Sequence, residues 1–97
     1  MRNMAGLSKA IEITSSKRRM QVLCCLVAGQ SRFNEMKKSC AEMSSTELAR
    51  VLTFLIDKNI IIKMRSVRYD TIAYKLTKKG EGVANVLRAL EEWGYAL

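Results

Sequence analysis

The chain has 97 residues, of which 48% are hydrophobic, enough for one small domain with a modest core. Its 17 lysines and arginines outnumber its 9 acidic residues, giving a formal charge of +8, and it contains no histidine. The missing histidine removes the commonest general base and the commonest metal ligand, so we expect no enzyme, no metal site and no cofactor. The charge favours nucleic acid as the partner, with solubility alone as the alternative.

The sequence has no run of 18 uncharged apolar residues and no signal-peptide pattern at its start. We therefore expect a cytoplasmic, nucleoid-associated protein with no membrane partner. The cysteines Cys24, Cys25 and Cys40 are interpreted as small buried side chains in a reducing cytosol. A redox role for Cys40, which lies in a polar stretch, is the alternative. No feature identifies an effector.

Apolar residues recur with helical spacing through the first half of the chain. A short helix is predicted over residues 5–13. A second is predicted over residues 17–28, with Ser15 or Ser16 as its N-cap and Gly29 as the residue that ends it. The apolar stripe of this second helix is predicted to consist of Met20, Leu23, Cys24 and Val27.

A third short helix is predicted over residues 32–39, with Ser31 as its N-cap. A loop follows, and then a strongly patterned helix over residues 44–58, for which Ser44 is the natural N-cap and Asn59 the left-handed residue at its end. The inward stripe of this fourth helix is predicted to consist of Leu48, Val51, Leu52 and Leu55.

After residue 59 the apolar period changes from 3.6 to 2, which predicts a β-hairpin over residues 60–76. The alternation predicts one apolar side made of Ile60, Ile62, Met64, Ile72, Tyr74 and Leu76. Thr77 is the predicted N-cap of a last helix over residues 78–93. Its apolar stripe consists of Val83, Val86, Leu87, Leu90, Trp93 and Leu97.

After the short N-terminal helix, the order of three helices, two strands and a helix predicts an α+β, mostly α fold: a winged helix-turn-helix with a two-stranded β-hairpin wing and a C-terminal dimerisation helix. We expect residues 1–97 to form a single winged helix-turn-helix domain. Within it, residues 1–16 are an N-terminal segment, residues 17–76 the helix-turn-helix and wing, and residues 77–97 the C-terminal helix.

The outer side of the predicted helix over residues 44–58 carries small and hydrogen-bonding side chains instead of a coat of lysine and glutamate. In a helix-turn-helix the second helix lies in the major groove, where its first residues contact base edges. We therefore predict base contacts by Ser45, Thr46, Arg50 and Thr53. Contacts to the DNA backbone or minor groove are predicted for Ser31, Arg32, Lys37, Lys38, Ser44, Arg65 and Arg68. An ordinary amphipathic helix with a small-residue outer side is the alternative.

The sequence resembles that of HxlR-type regulators, relatives of the MarR group, over residues 17–94. The resemblance is carried by SRFNEM (31–36), MSSTEL (43–48), LTFL (52–55), NI (59–60), YKLTKKG (74–80) and the spacing of Leu87, Leu90 and Trp93. It implies a dimeric, DNA-binding transcriptional regulator with the terminal helices in the dimer interface. The sequence departs from the family pattern at Arg18 and Arg19, where members have Lys-Trp, and at Asn59, where they have glycine.

Three functions are compatible with this pattern. The first is a sequence-specific transcriptional regulator that binds double-stranded DNA as a homodimer, with residues 44–58 in the major groove and the wing of residues 60–76 on the backbone or minor groove. The second is a non-specific architectural or chromatin protein with the same fold. The third, which the charge disfavours, is a protein-interaction winged helix. The predicted dimer interface consists of Val83, Val86, Leu87, Leu90, Trp93 and Leu97; the alternative is that this stripe covers the core of one chain.

Overall fold

The structure, a computed structural model, describes residues 3–97. Within these residues the elements follow in the order α1 (Ala5–Thr14), α2 (Lys17–Val27), α3 (Phe33–Ser39), α4 (Ser45–Asp57), β1 (Ile61–Ser66), β2 (Thr71–Leu76), α5 (Lys78–Glu81) and α6 (Val83–Ala96). The two strands form an antiparallel hairpin. The predicted winged helix-turn-helix is confirmed, and no helix in the described part of the chain is long and apolar enough to cross a membrane.

Hydroxyl side chains begin three of the helices, as the sequence predicts. The Oγ atoms of Ser16 and Ser44 accept hydrogen bonds from main-chain N–H groups at 3.3 and 3.1 Å, and Thr77 Oγ1 accepts one at 3.0 Å. Each bond satisfies an N–H group that lacks a partner in the first helical turn. Asn59, at φ 61°, adopts the left-handed conformation that ends α4.

The start of α3 differs from the prediction. The helix begins at Phe33, so Arg32 and not Ser31 occupies the N-cap position. The carboxylate of Glu35 accepts hydrogen bonds from the N–H groups of Arg32 at 2.9 Å and of Ser31 at 3.3 Å. Ser31 uses its carbonyl oxygen to accept a hydrogen bond from the N–H of Tyr74 at 2.8 Å, which joins this segment to β2.

The core lies between α2, α3, α4 and the first strand. It consists of Val22, Leu23, Cys25, Leu26, Met36, Cys40, Met43, Leu48, Val51, Leu52, Leu55, Ile60 and Ile61. The predicted inward stripe of α4 is buried throughout.

The predicted stripe of α2 is wrong for two of its residues, because Cys24 and Val27 are exposed. Residues 22–27 of α2 are all apolar, so the sequence pattern left the rotation of this helix open. Packing of α2 against α4 determines which of these residues are buried. Cys25 and Cys40 are buried as expected, whereas Cys24 is not.

The hairpin does not have the single apolar side that the sequence predicted. Its register pairs Ile61 with Leu76 and Lys63 with Tyr74, and paired residues share a face of the sheet. Ile62 and Met64 therefore lie on the face opposite to Tyr74, and both are exposed. Ile61, which the sequence placed on the other side, is buried in the core.

The last predicted helix is interrupted. A turn at Gly82 separates α5 from α6, and α6 continues to Ala96, beyond the predicted end at residue 93. Gly80 and Gly82 both lower the helix propensity here. Gly80 is buried against Ile60: a Cβ at this position would lie 2.1 Å from the Ile60 carbonyl oxygen. This close approach lets α5 pack at the base of the wing.

We expect Gly80→Ala to destabilise the protein by about 1–3 kcal/mol, because the added methyl group must push α5 away from the main chain of Ile60. Urea unfolding followed by circular dichroism measures this change. Gly82→Ala is the matched control: Gly82 has helical angles and space for a Cβ, so this variant should be about 0.5 kcal/mol more stable than the wild type. Equal stability of the two variants would contradict the close packing at Gly80.

Candidate nucleic-acid interface

The outer face of α4 is open to solvent along its whole length. Four residues predicted to contact bases are all exposed: Ser45, Thr46, Arg50 and Thr53. Leu48, Leu52 and Leu55 on the opposite side are fully or almost fully buried, so the helix cannot rotate without disrupting the core. Three of the four outward side chains are short and carry a hydroxyl group, which permits close approach of the α4 main chain to another surface.

The start of α4 is held by a reciprocal pair of hydrogen bonds. Ser44 Oγ accepts from the N–H of Glu47, and Glu47 Oε1 accepts from the N–H of Ser44, both at 3.1 Å. The second oxygen of Glu47 lies 2.7 Å from Nη2 of Arg18 on α2. The hydrogen bonds from Ser44, with smaller contributions from Arg18 and Arg50, lower the pKa of Glu47.

A cleft of about 260 Å³ separates the start of α2 from α4. It is lined by Ser16, Arg18, Arg19, Glu47, Arg50, Val51 and Phe54. Three of these side chains are arginines and one is acidic, so the cleft is positively charged. Arg50 lies where the cleft meets the outer face of α4. The sequence analysis did not assign a role to Arg18, although a run of three basic residues directly after the Ser16 cap was a visible signal.

Arg32, the N-cap residue of α3, contacts the wing. Nη1 of Arg32 donates a hydrogen bond to the carbonyl oxygen of Ile72 on β2 at 3.1 Å, so this side chain joins the helix-turn-helix to the hairpin. Lys38 is exposed, and Lys37 is partly buried. Ser31 is partly buried and is bonded to β2 through its main chain. Arg32 and Ser31 therefore hold the start of α3 against β2.

The two wing arginines predicted to contact DNA are both exposed: Arg65 lies near the end of β1, and Arg68 lies in the turn over residues 67–70. The guanidinium group of Arg65 bonds Asp70 Oδ1 through Nη2 at 2.5 Å and through Nε at 3.2 Å. Arg68 lies over the ring of Tyr69, 5.3 Å from its centroid. Val67 and Tyr69 are also exposed at the tip, and the sequence analysis did not select either of them.

The predicted dimer residues of α6 fall into two groups. Val83 and Leu87 pack against the core of their own chain. Val86, Leu90, Trp93 and Leu97 are exposed, with Trp93 at 63% and Leu97 at 86% of their full accessible surface. Tyr95, which the sequence analysis did not select, is exposed as well. The second half of α6 is thus an apolar surface that this chain does not cover.

Nowhere in residues 3–97 do three or more metal-ligating side chains come together. The sulfur atoms of Cys25 and Cys40 lie 3.8 Å apart in the core. Burial, reinforced by Cys40, raises the pKa of the Cys25 thiol to about 11. At neutral pH this thiol is protonated and is a poor nucleophile.

These features define a class: a basic winged helix-turn-helix protein with an exposed, groove-sized helix. Residues 13–97 match the HxlR-like helix-turn-helix family, to which the chain therefore belongs. Members of this family are DNA-binding transcriptional regulators, and the predicted relationship is confirmed.

Individual relatives agree with this assignment. An HTH-type transcriptional regulator of Methanothermobacter thermautotrophicus is 31% identical over 94 residues, covering 94% of this chain and 70% of its own length. PA1607, described as a transcription factor, has a TM-score of 0.86 at 22% identity over 93% of this chain and 63% of its own. A MarR-family regulator from Enterococcus faecalis has a TM-score of 0.86 at 16% identity, over 99% of this chain and 88% of its own. At these identities the two structures show the fold alone.

We expect the stability of the protein to depend on pH through Glu47. Because its pKa in the folded state lies below the usual value of 4.5, its carboxylate stabilises the fold above that pH, and this contribution is lost as the pH falls through the lowered pKa. Glu47→Gln should therefore be less stable than the wild type near neutral pH, and the difference should shrink in acid. Urea unfolding between pH 7 and pH 3 measures it. Glu42→Gln, which changes a carboxylate at an exposed position before α4, is the control. If the free energies of unfolding of Glu47→Gln and of the wild type changed with pH in parallel, the prediction would be refuted.

Proposed function

We propose that this regulator binds DNA as a homodimer and recognises a specific base sequence with α4. The observation that carries the proposal is the composition of the exposed face of α4, where hydroxyl groups and one arginine occupy positions that a merely solvated helix fills with lysine and glutamate. Membership of the HxlR-like family supports the same function.

In the proposed complex α4 lies in the major groove. Arg50 is the strongest base-reading candidate, because a guanidinium group can donate two hydrogen bonds to O6 and N7 of guanine. Base contacts are also proposed for Ser45, Thr46 and Thr53. Contacts to phosphate or the minor groove are proposed for Ser31, Arg32, Lys37, Lys38, Ser44, Arg65 and Arg68. For Ser44 and Ser31 these contacts must be compatible with the hydrogen bonds that each already makes within the chain.

Exposed apolar surface supports the homodimer. The chain exposes 7171 Å², whereas a compact monomer of 11.0 kDa exposes about 5,600 Å². The excess, about 1,600 Å², exceeds the roughly 800 Å² per partner that a stable interface usually buries. Much of the exposed apolar surface lies on α6 and on α1, where Met4, Leu7 and Ile11 are about half exposed. We propose that α6, through Val86, Leu90, Trp93 and Leu97, forms the interface with assistance from α1.

A non-specific architectural protein is the second candidate, and the net charge of +8 supports it. In that case phosphate contacts would supply the affinity, and the outer face of α4 would have no influence on sequence preference. The two functions are distinguished by the ratio of binding to selected and to random DNA at a fixed salt concentration.

We expect Arg50→Ala to weaken binding to the preferred DNA site by about 1–3 kcal/mol and to relax the preference at one base pair. The site is first obtained by selecting the wild-type protein on a random DNA library. Fluorescence anisotropy with the selected and a scrambled duplex then measures both affinities. Thermal unfolding should change little, because Arg50 is exposed.

The double variant Arg65→Ala with Arg68→Ala is the comparison for Arg50→Ala. Loss of phosphate contacts from the wing should weaken binding to both duplexes equally. It should also reduce the slope of the logarithm of the association constant against the logarithm of the salt concentration by about one unit for each contact removed. If Arg50→Ala also loses equal affinity for both duplexes, base recognition by this arginine is rejected and the architectural function is favoured.

We expect a mass of twice 11.0 kDa in light scattering at micromolar concentration. Trp93→Ser should raise the dimer dissociation constant about thirtyfold, the effect of removing roughly 2 kcal/mol of interface contact. Glu92→Ser, at a neighbouring exposed position of α6, is the control and should leave the mass unchanged. A monomeric wild type would rule out the dimer.

A further inference from the structure

Helix α1 is attached to the rest of the chain at one end. Residues 3–12 are all exposed, whereas Ile13 and Thr14 are partly buried and Ile13 packs against the core. No side chain of α1 is fully buried. The direction in which this helix projects is therefore determined by the contacts of its last turn.

Arg19, in the first turn of α2, binds that last turn. Its Nε donates to the carbonyl oxygen of Ile13 at 3.0 Å, and its Nη2 donates to the carbonyl oxygen of Glu12 at 3.1 Å and to Ser15 Oγ at 3.2 Å. The last carbonyl groups of a helix have no partner within it, and a cation is favourable at that end. One guanidinium group thus supplies donors to two of these carbonyl groups and bonds the hydroxyl of the C-cap residue Ser15 as well.

The same guanidinium group also contacts α4, the proposed recognition helix. It lies over the ring of Phe54 on α4, 4.5 Å from the ring centroid. Lys58, one turn further along α4, lies 5.7 Å from the same centroid and forms an ion pair with Glu12. We call these five residues, Glu12, Ile13, Arg19, Phe54 and Lys58, the α1 anchor. Phe54 lies outside the inward stripe of α4, and the anchor accounts for its position.

We propose that the α1 anchor fixes the angle between α1 and the recognition helix and thereby determines which spacing of DNA half-sites the protein accepts. The proposal rests on the proposed homodimer, in which α1 assists at the interface. In such a dimer the distance between the two recognition helices must match the separation of the half-sites. Arg19 and Phe54 are then positioning residues that determine specificity without contacting DNA.

The dimensions make the effect measurable. With ten residues, α1 is about 15 Å long, so a change of about 10° at its anchored end moves the other end by roughly 3 Å. This displacement is comparable with the rise of one base pair, about 3.4 Å. A looser anchor should therefore admit half-sites that are one base pair closer or further apart.

The test selects DNA from a random library with the wild type, Arg19→Met and Phe54→Leu. The methionine keeps an apolar stem without the guanidinium group, and the leucine keeps an apolar side chain without the aromatic ring. We expect both variants to select the wild-type half-site sequence with a broader or shifted spacing. Arg18→Met is the control, because Arg18 contacts Glu47 of α4 and does not belong to the α1 anchor. The affinity of this variant for DNA can fall, but the half-site spacing that it selects should stay that of the wild type.

A single unchanged spacing in both anchor variants would overturn the proposal and leave the homodimer and base recognition intact. A wild type that selects no paired half-sites would instead reject the proposed function, and the spacing role with it. The two failures are therefore distinct.

Hydrogen exchange gives a second readout that does not require DNA. In Arg19→Met the amides of α1 should exchange about tenfold faster than in the wild type, while those of the buried core of α2 and α4 are unchanged. Unchanged exchange in α1 would also overturn the proposal, because the anchor would then not restrain this helix.

Discussion

The packing of the apolar stripe of α4 against α2 and β1 is the contact on which the remaining arrangement depends. Leu48, Leu52 and Leu55 are at most 2% exposed, and burial of each such side chain contributes on the order of 1.5–3 kcal/mol. Successive residues of a helix are 100° apart, so this stripe also determines which side chains face outward. Burial of this stripe in the core therefore determines which side chains of α4 are exposed, although the core residues are not part of that exposed face.

Features encoded within a few residues could be predicted from the sequence. The Ser44 cap, the stripe of α4 and the left-handed Asn59 depend on local hydrogen bonds and helical spacing, and the structure has all three. The rotation of α2 could not be predicted, because six consecutive apolar residues fit several orientations. The hairpin register could not be predicted from the alternation of residues, and Gly80 and Gly82 lower the helix propensity without indicating that the helix breaks at Gly82.

In the candidate site, too, local features were predictable and contacts between elements were not. The exposed positions of Ser45, Thr46, Arg50 and Thr53 follow from the amphipathic pattern of one helix. The contacts that join elements were not predictable from any single element: Arg32 with the carbonyl of Ile72, for example, spans forty positions of the chain. Phe54 lies outside the inward stripe of its helix, and the cations over its ring are Arg19 of α2 and Lys58, the C-cap residue of α4 itself.

Two basic side chains near the proposed DNA surface already have acidic partners: Arg65 is paired with Asp70, and Arg18 with Glu47. A phosphate group that binds either arginine shares the guanidinium charge with a carboxylate or displaces it, so binding yields less free energy than capture of an unpaired cation. Exposed ion pairs are worth only about 0–1 kcal/mol, which a correctly placed phosphate can outcompete. Under the proposed function, these ion pairs weaken transient binding to DNA of arbitrary sequence more than they weaken the fully docked complex. The paired arginines would then shorten unproductive residence on the chromosome and speed the search for a target.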